Sequence, residues 1–242
     1  MEGQVPEVAA WLGELYGTTE LATRGVVHVT SVDPSLHVIA IGPGAPESEG
    51  DFFVLNLARA RADAVLTSGS ILRLEPHYRV ALAGPHAAVL ATYRREVLHK
   101  PKPPLCAVMT RDGELPLDHP FWDDDHDKWV LTSPARASAL QRELGARATV
   151  IGVDALDARG AVELMAQGGA TLISIEAGPS ANAALYRAPA LVTELLLSIY
   201  QGPPVHLGAA LASELLQGMT LVSDVVRNER SGPWRYQRWL RT

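Results

Sequence analysis

The sequence predicts an α/β domain: a mixed, mostly parallel sheet flanked by helices, ending in an antiparallel hairpin. Three observations carry this. From Trp129 to Leu185 short apolar runs alternate with amphipathic stretches, the rhythm of parallel βαβ units. Met219 to Glu229 and Trp234 to Leu240 read as a terminal hairpin with one face exposed. A hydrophobic fraction of 47% with 20% charged residues fits a globular protein with a sizeable core.

The elements follow in order. Glu7 to Tyr16 reads as a short helix ended by Gly17-Thr18-Thr19, so residues 1–24 form a helical extension and residues 25–242 the main domain. Gly25 to Val32 and Leu36 to Ile41 read as strands joined by an Asp33-Pro34-Ser35 turn. Gly42 to Gly50 is a loop by composition, bordering a helix from Asp51 to Arg61 with Phe52, Leu55 and Ala58 on its apolar face. Ala62 to Leu66 is a strand, followed at once by the small polar turn Thr67-Ser68-Gly69-Ser70. A helix over Pro85–Leu98 is broken by Lys100-Pro101-Lys102-Pro103-Pro104. Leu105 to Met109 and Val130 to Thr132 are strands. Ser133-Pro134 opens a helix to Leu144. Thr149 to Val153 is a strand, and Asp157 caps a helix to Gln167. Leu191 to Tyr200 is a long apolar strand, and Leu207 to Leu216 reads as loop with helical turns.

The stretch with the most chemical promise is Thr171 to Leu185. It reads as strand, tight loop, helix. Gly178 is able to take a backbone conformation closed to other residues, and Pro179 suits a first helical position. The free N–H groups of such a turn suit an anion. In a parallel sheet ligands lie at the carboxyl ends of strands, where Gly152, Glu176 and Gly178 are expected.

Composition excludes several classes. The net charge of −6 offers no electrostatic draw for nucleic acid or an anionic membrane. No apolar run approaches the roughly 20 residues of a membrane span. The start, Met1 to Glu7, shows no signal peptide, so a cytoplasmic protein is expected. The lone Cys106 rules out an intrachain disulfide or a multi-cysteine metal site. No metal is expected: Asp123 to Asp127 reads as a solvated acidic loop, and the eight histidines lack paired metal spacing. A Gly-x-Ser-x-Gly elbow, a Walker loop, a Gly-x-Gly-x-x-Gly fingerprint and a zinc-deaminase signature are all absent.

Taken together, the segments resemble the reductase domain of riboflavin biosynthesis, the C-terminal half of bacterial bifunctional deaminase-reductases, with its dihydrofolate-reductase-like fold. Ser31-Val32-Asp33 is similar to the family's Ser-Leu-Asp-Gly. Ala62 to Ile71 is similar to Ala-Asp-Ala-Val-Leu-Val-Ala-Gly-Thr-Val, and Glu75-Pro76 to the Asp-Pro that follows it. Glu176-Ala177-Gly178-Pro179 is similar to Glu-Gly-Gly-Pro, and Trp234 to Trp239 to the last strand. Pro34, Leu72 and Ala177 stand where the family carries glycine, arginine and glycine, and Arg73 lies one position beyond the usual arginine.

The resemblance implies an NADP(H)-dependent reductase that transfers hydride to a CH–OH or C=N type carbon of a pyrimidine- or pterin-type substrate. It implies a homodimer as well, and Leu191 to Tyr200 is apolar enough to pair. By carry-over, Thr67, Ser68, Gly69 and Ser70 face the cofactor phosphates, and Gly152, Ala177, Gly178 and Pro179 line the cofactor cleft. Asp33 and Glu176 are the catalytic candidates; Ser31 and Arg73 contact the substrate. The alternative is a non-catalytic nucleotide-binding or interaction protein that retains the fold. With no deaminase half, a stand-alone protein is expected.

Overall fold

The structure, a computed structural model, describes residues 5–241; the signal-peptide reading falls partly on residues 1–4, outside the described residues. The chain runs α1 (Pro6–Tyr16), β1 (Gly25–Val32), β2 (His37–Ile39), α2 (Glu49–Arg61), β3 (Ala64–Ser68), α3 (Gly69–Leu74) and α4 (Ala87–Thr92). It continues β4 (Leu105–Met109), β5 (Lys128–Thr132), α5 (Pro134–Leu144), β6 (Thr149–Gly152), α6 (Ala158–Gln167), β7 (Leu172–Ile175) and α7 (Pro179–Tyr186). It closes with β8 (Val192–Tyr200), β9 (Leu207–Ala210), β10 (Met219–Glu229) and β11 (Gly232–Arg241).

One sheet carries the architecture, in the order β10-β11-β8-β1-β7-β3-β4-β5-β6, with β2 and β9 attached beside β1. From β8 to β6 every neighbouring pair is parallel, whereas β11 pairs antiparallel with β8 and β10 with β11. This is the dihydrofolate-reductase-like arrangement of a mostly parallel sheet with a terminal hairpin. The central strands read as continuous apolar runs because both faces are covered. On one face α6 and α7 pack over Leu66, Ala107, Leu131 and Ile175. On the other, α1, α2 and α4 cover Val27, Val29 and Leu196, and α5 covers Val65, Val108 and Val130. Among the described residues no helix is long and apolar enough to cross a membrane.

Local signals place most boundaries. Ser48 caps α2 by accepting the Asp51 N–H at 2.8 Å, and Asp157 caps α6 by accepting the Gly160 N–H at 2.8 Å. The acidic loop is knit by an ion pair between Lys128 and Asp124 at 2.8 Å.

Four expectations are corrected. The apolar face of α2 is Phe53, Val54, Leu57 and Ala58, while Phe52 is 38% exposed. The helix starts two residues earlier than expected, and the sheet takes the row that also buries Arg61. β3 extends through Thr67 and Ser68, which pair in register with Val108 and Met109, so the small polar turn is the junction of a strand with α3. Residues 207–210 form a strand, because His37 and Ile39 supply a ladder partner far away in sequence. Finally, β8 cannot pair with a second copy, because β1 and β11 occupy both its edges.

Candidate active site

A cleft of about 740 Å³ opens at the carboxyl ends of β1, β7 and β3. This is where parallel strands present loops rather than ladder, so side chains reach a ligand there. Its floor includes His28, Ser31 and Asn182, one wall comes from α2 through Asp51 and Arg59, and another from α3 and the loop after it. Residues of β2 and β9 and of the loop after β2 border the mouth. Ile41 and Leu74, both lining residues, are 74% and 75% exposed and form an apolar rim.

Glu176 sits at the end of β7, its N–H donating to the Leu66 carbonyl of β3 at 2.8 Å. Arg59 reaches it from α2, with Nε donating to Oε1 at 2.8 Å and Nη2 to Oε2 at 2.7 Å. Tyr78 donates its hydroxyl to Oε2 at 2.7 Å. The side chains of Arg59 and Glu176 are only 6% and 4% exposed, so this is a buried, bidentate pair. Both carboxylate oxygens are therefore engaged, which makes Glu176 an anchor that orients its neighbours. Burial, then the charge of Glu176, pushes the Tyr78 hydroxyl well above the usual tyrosine range and keeps it a donor.

Glu75 lies just past α3 and lines the same cleft. Burial, reinforced by the Glu176 charge, raises its carboxyl from 4.5 to about 7. It is the cleft group poised to hold or release a proton near neutrality. Across the cleft Ser31 donates its hydroxyl to Asp51 Oδ1 at 2.7 Å, and burial raises the Asp51 carboxyl above its ordinary range. His28, inside β1, lies beside the Tyr186 hydroxyl and takes the Asn182 side chain at 3.0 Å. Burial lowers its ring to about 4, so it is neutral at pH 7.

The cleft brings together Ser31, Ser70, Glu176, Ala177, Gly178 and Pro179 from the residues expected from sequence. Ser70 shares a 2.7 Å hydrogen bond with Ser68, which belongs to β3 and does not line the cleft. Thr67 is fully buried within β3. A Cβ on Gly69 would lie 2.9 Å from Leu115 and 3.2 Å from Thr110, so the packing of α3 favours a glycine here. Arg73 turns outward and donates to the Glu114 carbonyl at 2.6 Å.

Asp33 lies outside the lining. Its Oδ1 accepts the N–H groups of Ser35 and His37 at 3.0 and 2.8 Å, the work of a turn residue. Gly152 is also outside, because β6 lies four strands from β7, about 19 Å at ordinary strand spacing. A Cβ there would meet the Pro134 Cα at 2.9 Å, so the glycine lets α5 approach the sheet edge. Gly178 has φ −68° with open space around a would-be Cβ, and Ala177 is absent from the positive-φ residues. The Ala177 substitution therefore strains nothing.

Sequence reasoning missed Arg59, Tyr78, Asp51, His28 and Asn182, and gave Glu75 no role. One signal was available: Arg59 and Arg61 fall where α2 turns its buried face inward, and a buried guanidinium demands a carboxylate partner. Tyr78 and His28 carry no local signal.

The geometry defines an α/β domain with a ligand cleft at the strand ends, built on a buried carboxylate–guanidinium pair. A family model, the RibD C-terminal domain, matches residues 29–236, and the chain belongs to that family. A pyrimidine reductase-like protein from Corynebacterium diphtheriae superposes with a TM-score of 0.72 at 16% identity, over 95% of this chain and 98% of that one. RibD from Acinetobacter baumannii gives 0.64 at 15%, over 91% of this chain and 59% of that one. The riboflavin biosynthesis reductase Rib7 of Saccharomyces cerevisiae gives 0.54 at 13%, over 96% and 99%. At these identities the likeness concerns the fold. A search of curated protein sequences finds no match to this chain.

Proposed function

We propose that this protein is an NADP(H)-dependent reductase of a pyrimidine-type ring compound, in the manner of the riboflavin-pathway reductases of its family. The observation that carries the reading is the convergence of Glu176, Gly178 and Pro179 with Ser70 and Ser31 on one cleft at the strand ends. The lining fits a nicotinamide cofactor. The Gly178–Pro179 turn leaves open space at the start of α7, the Asn182 Oδ1 is a buried acceptor without a partner, and the rim offers apolar cover for a flat ring. When bound, the cofactor supplies a hydride.

The chain's own residues do the rest. Arg59 and Tyr78 hold Glu176 rigid, which fixes the shape of the cleft between β7 and α2. Reduction of a sugar carbon or an imine leaves an oxygen or nitrogen that needs a proton. Glu75, held near neutrality, is the residue assigned to give it. Titration with NADPH, followed by energy transfer from the five tryptophans, tests the reading. Absence of binding at millimolar cofactor sinks it. The Glu75→Gln variant is expected to bind NADPH normally and to lose turnover about 100-fold or more.

A second reading, a binding protein without catalysis, draws on the outward turn of Arg73 and the packing role of Gly69. Turnover of a ribosylaminopyrimidine with NADPH refutes it. The homodimer implied by family resemblance is assigned to β10, whose outer edge is unpaired and which exposes Leu221, Val222 and Val226.

A further inference from the structure

We infer that His28 is a positioning residue for the cofactor wall of the cleft: it aims the side chain of Asn182, which holds the Ala177 carbonyl and with it the Gly178–Pro179 turn that opens α7. The functional part of the inference rests on the reductase reading above; the clamp itself rests on geometry alone.

α7 docks on the sheet by a face that is largely polar at its tips. Its buried residues are Asn182, Leu185 and Tyr186, and only Leu185 is wholly apolar. Asn182 and Tyr186 are four residues apart, so they stack on one side of the helix. The ring of His28 meets both. The Tyr186 hydroxyl lies beside its Nδ1, and the Asn182 Nδ2 lies 3.0 Å from its Nε2. All three residues are buried. His28 projects from β1, which is paired on both edges there, in register with Ile175 of β7 and Leu195 of β8.

Hydrogen bonding fixes each role. The Ala177 carbonyl takes only a donor, so the Asn182 amide turns its nitrogen toward it. The second hydrogen of that nitrogen goes to His28 Nε2, which is therefore the bare nitrogen of the ring. The ring proton sits on Nδ1, facing the Tyr186 hydroxyl. A neutral imidazole offers this pair of one donor and one acceptor, and burial keeps His28 neutral at pH 7. Without the acceptor at Nε2, Asn182 loses the contact that aims its nitrogen at Ala177.

The carbonyl so held belongs to the turn. On one side Glu176 is fixed by the Leu66 carbonyl and by Arg59. On the other, the Gly178 carbonyl accepts the N–H groups of Ala181 and Asn182 at 3.0 and 3.1 Å. Ala177, between them, is fixed by the Asn182 side chain. Ala177, Gly178 and Pro179 all line the cleft. A binding wall has to keep its geometry to about 0.5 Å, so loosening this one bond shifts the turn against the cofactor.

The test compares two amides at position 28. An asparagine side chain reaches the place of Nδ1 and a glutamine that of Nε2, so His28→Gln keeps an acceptor for Asn182 and His28→Asn does not. NADPH affinity, followed by energy transfer from the tryptophans, is expected to stay within about threefold of the parent in His28→Gln and to fall about tenfold or more in His28→Asn. Asn182→Ala is expected to fall as far as His28→Asn, and the double variant no further, because both act on one bond. Leu12→Ala, at a buried residue of α1 on the opposite face of the sheet, is expected to lose stability and keep its NADPH affinity, which separates positioning from general loosening. In amide hydrogen exchange without ligand, Ala181 and Asn182 are expected to exchange faster in His28→Asn, with Glu176 unchanged. Nitrogen NMR of the parent needs no variant and is expected to show the His28 proton on Nδ1. Equal affinities of the two amides, additive losses in the double variant, unchanged exchange at Ala181 and Asn182, or a proton on Nε2 overturns the inference. If the parent does not bind NADPH, the reductase reading falls, and the exchange and NMR measurements still decide whether His28 positions the turn.

Discussion

Glu176 and Glu75 line one cleft and play opposite parts. Glu176 is held by three charge-assisted hydrogen bonds from Arg59 and Tyr78, so its value is positional. Removing the guanidinium leaves a carboxylate buried without its partner. Arg59→Ala is therefore expected to lose about 3–5 kcal/mol of stability, measured by urea unfolding. Arg59→Lys retains the charge without the planar fork and is expected to fall between the two. A loss under about 1 kcal/mol would show that the pair is solvated.

Glu75 has no such partner, and its raised carboxyl links stability to pH. The folded state binds the proton more tightly than the unfolded chain, with a value of about 7 against 4.5. The contribution is fully present below about 4.5 and is lost as pH rises through 7. His28 has the opposite sign: its lowered value, about 4, gives stability present above 6.5 and lost as pH falls through 4. Melting temperatures of Glu75→Gln and of the parent, followed from pH 4 to 8, separate the two. The parent should lose stability relative to Glu75→Gln between pH 4.5 and 7. A constant difference across that range would refute the assignment.

Among the elements, three helix starts were legible because caps act within one turn, whereas the Ser48 cap of α2 and the helix α3 were not read. Asp157 and Pro134 announce α6 and α5, and Gly178-Pro179 announces α7. The work of individual glycines was not legible. Gly152 looked like a cofactor residue from its place after a strand, but it lies against the Pro134 Cα at the edge strand β6. Gly152→Ala is expected to lower stability by about 1–3 kcal/mol through that backbone contact, with NADPH affinity unchanged. A lost NADPH affinity in a folded variant would return Gly152 to the cofactor surface. The face of α2 was misread for a related reason. Adjacent rows of a helix differ little in hydrophobicity here, and the sheet chose the row containing Phe53 and Leu57.

At the scale of the whole molecule, Glu194 is fully buried between Arg61 and Arg238. It ties α2, β8 and β11 together, and so couples the terminal hairpin to the strands that carry the cleft. The hairpin leaves β10 as one edge of the sheet, opposite β6, 11 residues long with three apolar side chains exposed. Sedimentation of the parent is expected to show a dimer, and Val226→Lys a monomer, because a charge on an edge strand opposes pairing. A dimer that survives Val226→Lys would move the contact elsewhere.

By itself the sequence determined the parts whose physics is local. The strand–loop–helix of residues 171–186, the alternating units before it and the terminal hairpin follow from periodicity, capping and turn chemistry within a few residues. The family motif at Glu176 to Pro179 was legible for the same reason. Tertiary structure alone decided which parts meet. Strand order put β7 between β1 and β3, so Ser31, Ser70 and Glu176 share a cleft while Gly152 lies at the far edge. It brought Arg59 across 117 residues to Glu176 and left Asp33 to its turn. Such pairings depend on which faces are buried together, and no short-range pattern in the chain encodes that.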